Sequence, residues 1–379
     1  MTADRDATGR SIDDLQPLLT WLRTGAPARS RLDFATGTAL PDGRLDMCKQ
    51  DIGPNGAALI ADALAPGAVR HVLLGTDKLG DDGAAAVSRR AGAARVETLY
   101  LGCNGITATG ACRVADNLRA SPALVTGVWL KRNPLGAGAG DAAAALVDAA
   151  HRLRTLDLVQ TGMEANGLAT LCAAILSAAP HDRHIDTLYI GGNPLGPESA
   201  VALAELITAG TVRMLYASAA GIGDQGAHVL SDALVRAPYG HLTRLSVASN
   251  GIGPTALARL VISAANAGVE VVDVGRVKAA KLLAAHDNRL DLTAVIAIAT
   301  ALAAAPHRLA HLILHHTGIG SREAHAILDR VAHAHSPTRY LFGKGVADSV
   351  RRRLNALAAG LPPLPTPPPD AASIVSVHR

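Results

Sequence analysis

The densest group of potential metal ligands in the sequence is the histidine run HLILHH, residues 311–316. On a β-strand, His311 and His315 would share one face about 13 Å apart, at a rise of about 3.3 Å per residue. Two ligands of one tetrahedral zinc ion cannot lie that far apart. No cysteine or carboxylate beside the run completes a ligand set. The run therefore predicts no metal site.

Two further segments could carry chemistry. Cys103 could be a reactive thiol next to Tyr100, but no histidine is identifiable as its base. The glycine-rich segment GAGAGDA (136–142) lacks the lysine of a phosphate-binding loop. Four scattered cysteines without a C-x-x-C pair favour free thiols over a disulfide framework. We therefore expect a non-enzyme with no catalytic residues, cofactor or metal.

A repeated sequence pattern predicts the strands and helices that would position any binding residues. It reads apolar-x-x-apolar-x-apolar-x-x-Asn-x-apolar, and about ten copies follow one another in steps of about 27–32 residues. Clear copies are VETLYLGCNGI (96–106), VTGVWLKRNPL (125–135), IDTLYIGGNPL (185–195) and LTRLSVASNGI (242–252). Weaker copies replace the asparagine, for example with Asp77, Thr161, Ala220 and Val277. Each copy predicts a short strand, and the residues after it predict a helix.

This pattern resembles the leucine-rich repeat, and its period is similar to that of the long, ribonuclease-inhibitor-like type. The resemblance implies an α/β fold, a right-handed solenoid (horseshoe) with a parallel β-sheet on the concave side and α-helices on the convex side. It also implies non-catalytic binding of a protein or peptide partner. Related long-repeat proteins include activators of small GTPases, so a GTPase-regulating protein is an alternative, although no residue here marks that role.

Composition divides the chain into four segments. Residues 1–41 are expected to form an N-terminal cap with an amphipathic helix over 12–24, residues 42–336 the leucine-rich repeats, and residues 337–360 a C-terminal cap. Residues 361–379 form a Pro-rich tail, expected to be disordered or polyproline II, with a docking motif as the alternative. Residues 276–290 are an insertion, either a functional loop or a neutral one, so deleting 278–289 should leave stability nearly intact.

Aromatic residues supply the strongest indication of a binding surface. The chain has only two Trp, five Tyr and two Phe, yet Tyr100, Trp129, Tyr189 and Tyr216 all occupy the same position of the repeat. Strand alternation places this position on the sheet face opposite the core, surrounded by glycines and small residues. We therefore expect an exposed aromatic stripe of the kind that forms binding hot spots. The alternative is ordinary cross-strand packing.

Charged residues flank this stripe. Lys131, Arg132, Arg244 and Arg276 make the concave side modestly basic, with Asp157 among the acidic exceptions. The expected partner-binding residues are therefore Tyr100, Trp129, Lys131, Arg132, Asp157, Tyr189, Tyr216, Arg244 and Arg276. A basic face would favour a partner with an acidic surface, and a solvated charge pattern without preference is the alternative.

Composition limits the remaining classes of function. A formal charge of +4 gives no reason to expect nucleic-acid binding, although RNA stacking on the four aromatics remains an alternative. An enzyme with a site at the 276–290 insertion is another. No apolar run approaches the ~18 residues that a membrane span needs. The polar, acidic N-terminus is unlike a signal peptide. We expect a cytoplasmic protein without membrane contact, and the oligomeric state stays open.

Overall fold

The computed structural model describes residues 12–367 and 369–377 of the 379-residue chain. These residues form two compact units. The first contains residues up to 163 together with 178–184 and the C-terminal segment from 366, and the second contains 164–177 and 185–365. Both units alternate short strands with helices, which is the arrangement of a leucine-rich-repeat solenoid.

The first unit holds seven strands and most of the early helices. Its first two strands are antiparallel to their neighbours, and β3 to β7 run parallel. The strands are β1 (Leu32–Phe34), β2 (Gly37–Ala39), β3 (Arg44–Asp46), β4 (His71–Leu73), β5 (Thr98–Tyr100), β6 (Gly127–Trp129) and β7 (Thr155–Asp157). The helices are α1 (Ile12–Arg23), α2 (Gly53–Ala63), α3 (Gly80–Ala94), α4 (Ala108–Leu118) and α5 (Ala139–Ala149), with 3₁₀ turns at Gly136–Gly138 and Ala179–His181.

The second unit repeats this alternation with six parallel strands. They are β8 (Thr187–Tyr189), β9 (Met214–Tyr216), β10 (Arg244–Ser246), β11 (Val271–Asp273), β12 (His311–Leu314) and β13 (Arg339–Phe342). The helices are α6 (Ala165–Ala178), α7 (Ala200–Ala209), α8 (Gly223–Arg236), α9 (Pro254–Asn266), α10 (Leu292–Ala304), α11 (Ser321–Val331) and α12 (Asp348–Leu357), with a 3₁₀ turn at Pro197–Ser199.

Helix ends follow the local sequence. Pro254 occupies the first position of α9, where its missing N–H costs nothing. Helix α10 begins after Asp291, whose side chain accepts the N–H of Ala294 at 2.8 Å. Helix α7 ends at Gly210, whose φ of 62° suits a residue without a β-carbon. Such caps keep each helix short enough to fit one repeat.

An asparagine ladder joins successive repeats, as the repeated Asn predicts. The side chain of Asn133 accepts the N–H groups of Asn104 and Ile106, and donates to the carbonyls of Leu101 and Leu130. Asn250 makes the equivalent bonds in the second unit. A single buried amide thus satisfies polar backbone groups of two neighbouring turns, as buried N–H and C=O groups require.

The repeat that contains the insertion 276–290 differs from one expectation drawn from the sequence. Val277 is not the ladder position of its repeat, because Asn288 takes that place eleven residues later. Asn288 is fully buried, accepts the N–H groups of Asn250 and Ile252, and donates to the carbonyls of Val247 and Val274. A deletion of 278–289 would remove it. The expectation that this deletion is nearly neutral is therefore wrong.

The N-terminal segment begins with the helix expected over 12–24, observed as α1. Leu15, Leu18, Leu19 and Leu22 are its fully buried residues. Trp21 is half-buried and packs beside Phe34 with ring centroids 5.7 Å apart. Residues 1–11 of the expected cap lie outside the described residues.

Candidate functional site: the open face of the sheet

We call the sheet face opposite the helices the open face. The residues predicted to share one column of this face are in register within each unit. In the first unit Leu73 pairs with Tyr100, Tyr100 with Trp129, and Trp129 with Asp157. In the second unit Tyr189 pairs with Tyr216. The column prediction is therefore confirmed in each unit.

Tyr100 and Trp129 are not exposed, which corrects the expectation drawn from the sequence. Their residual exposures are 7% and 1%. Each ring folds over a glycine: a β-carbon at Gly75 would lie 2.3 Å from the Tyr100 ring, and one at Gly127 would lie 2.3 Å from the Trp129 ring. The glycines do make room for the rings, as expected. They allow the rings to lie flat, so the rings do not project from the sheet.

The tail segment, residues 369–377, packs onto the buried cluster that contains these two rings. It begins with a short helix α13 (Pro369–Ala372). Ala371 forms one buried cluster with Cys48, Leu73, Tyr100 and Trp129, against which Ile374 also packs. The expectation of a disordered or polyproline II tail is therefore wrong for the tail segment.

Polar contacts hold the end of the tail segment to β3. The side chain of Arg44 donates to the carbonyl of Val375. The carboxylate of Asp46 accepts the Ser376 hydroxyl at 3.2 Å and the Val377 N–H at 2.5 Å, and also the N–H of Cys48 at 3.1 Å. Asp46 is fully buried, and buried carboxylates require such donors.

The second unit presents an uncovered aromatic pair. The rings of Tyr189 and Tyr216 are stacked with centroids 4.3 Å apart, and both residues are half-buried. The guanidinium of Arg244 lies 5.2 Å from the centroid of the Tyr216 ring, within the range of a cation–π contact. Burial raises the pKa of Tyr216, and the charge of Arg244 opposes that shift. The pair thus offers a partly accessible ring surface next to a cation.

The acidic residues of the column have a structural role that the sequence reading missed. Asp157 accepts the N–H of Val159, two residues further along the chain, at 2.9 Å. Asp273 accepts the N–H of Gly275 in the same way at 3.0 Å. Burial raises the pKa of Asp157 to about 6, and it also raises the pKa of Asp273. The recurrence of aspartate at this position of the repeat was the signal in the sequence for this role. An aspartate side chain commonly accepts a hydrogen bond from the backbone N–H two residues ahead.

The basic residues predicted for the site differ in availability. Lys131 lies 5.1 Å from the centroid of the Tyr100 ring, and Arg132 donates to the side chain of Gln160 at 3.0 Å. Arg276 forms an ion pair with Asp287 at 2.7 Å, which neutralises it within the insertion. Arg244 beside Tyr216 is therefore the predicted cation that joins an accessible aromatic surface.

Within residues 12–367 and 369–377, no cluster of three or more His, Cys, Asp or Glu side chains is arranged to hold a metal ion. Over the same part of the chain, no helix has both the length and the apolar character that crossing a bilayer requires.

Comparison with protein families assigns the repeat. A family model described as a leucine rich repeat matches residues 241–261. This stretch contains Asn250, whose side chain makes the ladder bonds that recur along both units. The chain is a leucine-rich-repeat protein. A search of curated proteins by sequence found no match for this leucine-rich-repeat protein.

Solved structures similar to this leucine-rich-repeat protein share little sequence with it. The leucine-rich repeat-containing protein LegL7 from Legionella pneumophila is 13% identical, with 84% of this chain and 90% of that chain covered and a TM-score of 0.47. Rad7, in its complex with Elc1 in yeast, is 12% identical, with 90% and 86% covered and a TM-score of 0.48. The leiomodin-1 actin-binding site 2 is 16% identical, with 46% and 94% covered and a TM-score of 0.36.

Proposed function

We propose that this leucine-rich-repeat protein is a non-catalytic recognition module that binds a protein or peptide partner on the open face of its sheet. The observation that carries the proposal is the stacked pair Tyr189 and Tyr216. The core is filled by their strand neighbours Leu188 and Leu215, which are 0% and 1% exposed. The rings are thus not needed for core packing, and accessible tyrosines on a rigid surface are typical of interface hot spots.

Arg244 indicates the chemistry of the proposed partner. It lies beside the Tyr216 ring on the accessible part of the face. A carboxylate of the partner would pair with this guanidinium while an apolar group covers the rings. We therefore propose a partner with an acidic group next to an apolar one. Such a rigid, preformed surface loses little conformational freedom on binding.

The test compares two tyrosine variants. Partners captured on the wild-type chain are identified, and their affinities are measured for Tyr216→Ala and for Tyr239→Ala. Tyr239 is 65% exposed and lies outside the strands, so it serves as the matched control. Tyr216→Ala should cost about 2 kcal/mol or more, roughly a thirtyfold loss of affinity. Tyr239→Ala should cost nothing.

Equal losses in the two variants, or no loss in either, would refute the proposal. A steep fall in affinity with salt would instead indicate an RNA partner, because binding to phosphates releases counterions.

A further inference from the structure

The tail segment occupies the open face of the first unit in the manner of a bound peptide. Its apolar residue Ala371 belongs to the buried cluster that contains Tyr100 and Trp129, and Ile374 packs against that cluster. Aromatic residues that lie flat over glycines make a shallow apolar floor. Small and aliphatic side chains fit such a floor, whereas bulky ones would not lie close to the sheet.

Main-chain groups of the tail segment make its strongest polar contacts. Arg44 binds the carbonyl of Val375, and Asp46 binds the N–H of Val377. Any peptide without proline at the second of these positions presents a carbonyl and an N–H at this spacing. Val375 and Val377 are themselves 53% and 40% exposed. The anchoring therefore depends little on which residues stand at these two positions.

The connection to the repeats leaves the tail segment free to detach. Residues 363–367 are all exposed. The chain is fixed before them, where Arg339 donates to the carbonyls of Ala358, Leu361 and Pro362. Release of the tail segment breaks no strand or helix of a repeat. A tethered segment of this kind has an effective local concentration of about millimolar, so it competes with any free peptide.

We propose that the open face of the first unit is a peptide-binding groove whose built-in occupant is the tail segment, and that its partner is an extended peptide of similarly small and aliphatic sequence that replaces it. This inference rests on the proposed function, since it names the partner class and the control of the same sheet face. Displacement of the tail segment uncovers Tyr100 and Trp129, with Lys131 and Arg132 beside them. All four were predicted from the sequence to bind a partner. With the tail segment in place, Tyr100 and Trp129 are buried, and Lys131 and Arg132 lie beside them.

The test follows Trp129 in the full chain. The chain has two tryptophans, so Trp21→Phe makes Trp129 the sole one, and acrylamide quenching then reports its exposure. Quenching should be weak in this background and should rise several-fold on Ile374→Asp. The control Leu364→Asp introduces the same charge at a position 39% exposed in the linker and should change nothing. Val377→Pro removes the N–H bound by Asp46 and should also increase quenching.

A synthetic peptide of residues 366–379 then tests exchange. Added to the Ile374→Asp chain, it should restore the protection of Trp129, whereas a scrambled peptide should not. Equal quenching with and without Ile374→Asp and Val377→Pro would show that the tail segment does not cover the ring, and would overturn the proposal. Increased quenching that the peptide cannot reverse would also overturn it, because the tail segment would then be a fixed cap.

Circular dichroism of each variant serves as the control that the repeats remain folded. No partner is needed for this test, so its failure leaves the proposal for Tyr189 and Tyr216 intact.

Discussion

Replacing Asp77 by asparagine should stabilise the protein at alkaline pH. Asp77 stands at a ladder position, is fully buried, and accepts the N–H groups of Gln50 and Asp51 through one oxygen at 2.7 and 3.0 Å. Its other oxygen has no hydrogen-bond partner among residues 12–367 and 369–377. In the next repeat the corresponding atom is the Asn104 nitrogen, which donates to the carbonyl of Leu74. A carboxylate cannot donate in this way, but a protonated carboxyl or an amide can.

The size of the effect follows from the pKa. Burial is the largest cause that raises the pKa of Asp77 from 3.8 to about 7, opposed by the two N–H donors. A raised carboxyl pKa destabilises the folded chain increasingly as the pH climbs from the unfolded to the folded value. At 1.36 kcal/mol per pKa unit, the cost is about 1.7 kcal/mol at pH 5 and about 4 kcal/mol above pH 8.

The assay is urea unfolding followed by circular dichroism at pH 5 and pH 8.5. Asp77→Asn should stabilise relative to the wild type at both values, by about 2.5 kcal/mol more at pH 8.5 than at pH 5. The control Asp62→Asn removes an exposed carboxyl from α2 and should show no such difference. A stability gain that does not change between the two pH values, or a loss at pH 8.5, would refute the reasoning about the buried carboxylate.

Three further changes test the packing. Gly75→Ala should destabilise by about 1–3 kcal/mol because its β-carbon meets the Tyr100 ring, and the cost should shrink in a Tyr100→Ala background, as a double-mutant cycle by thermal melts will show. Asn288→Ala should cost about 2–4 kcal/mol in urea unfolding because four buried hydrogen bonds to the backbone are lost, whereas Leu282→Ser, at a position 85% exposed in the same insertion, should stay within about 0.5 kcal/mol. Trp129→Ala should destabilise by about 2 kcal/mol or more, since the ring is buried; an unchanged melting temperature would show that it is a surface residue after all.

The repeat made the strand register predictable from sequence. Each copy must bury the same positions, so a two-residue alternation determines which residue faces away from the helices. Asn288 was missed because the insertion displaces it eleven residues from the expected position, Val277. The signal was present in the Asn-x-apolar spacing of Asn288 and Leu290, which matches the other copies.

The covered half of the site could not be predicted in this way. Ser376 lies 330 residues from Asp46 in the sequence, and no periodicity connects them. The proline-rich composition before the tail segment is typical of a solvated linker. The burial of Tyr100 and Trp129 therefore involves a contact that only the three-dimensional structure reveals, whereas the partial exposure of Tyr189 and Tyr216 is compatible with their strand position.

Site-specific photocrosslinking tests the central claim, recognition on the open face, most directly. Benzophenone-bearing phenylalanine is introduced by Tyr216→benzoylphenylalanine and, in a separate chain, by Tyr239→benzoylphenylalanine. After irradiation in cell extract, adducts are separated by mass and identified. Binding on the open face predicts a defined protein or peptide adduct from position 216 and none from position 239. Adducts formed at position 239 alone would place the partner elsewhere and contradict the account.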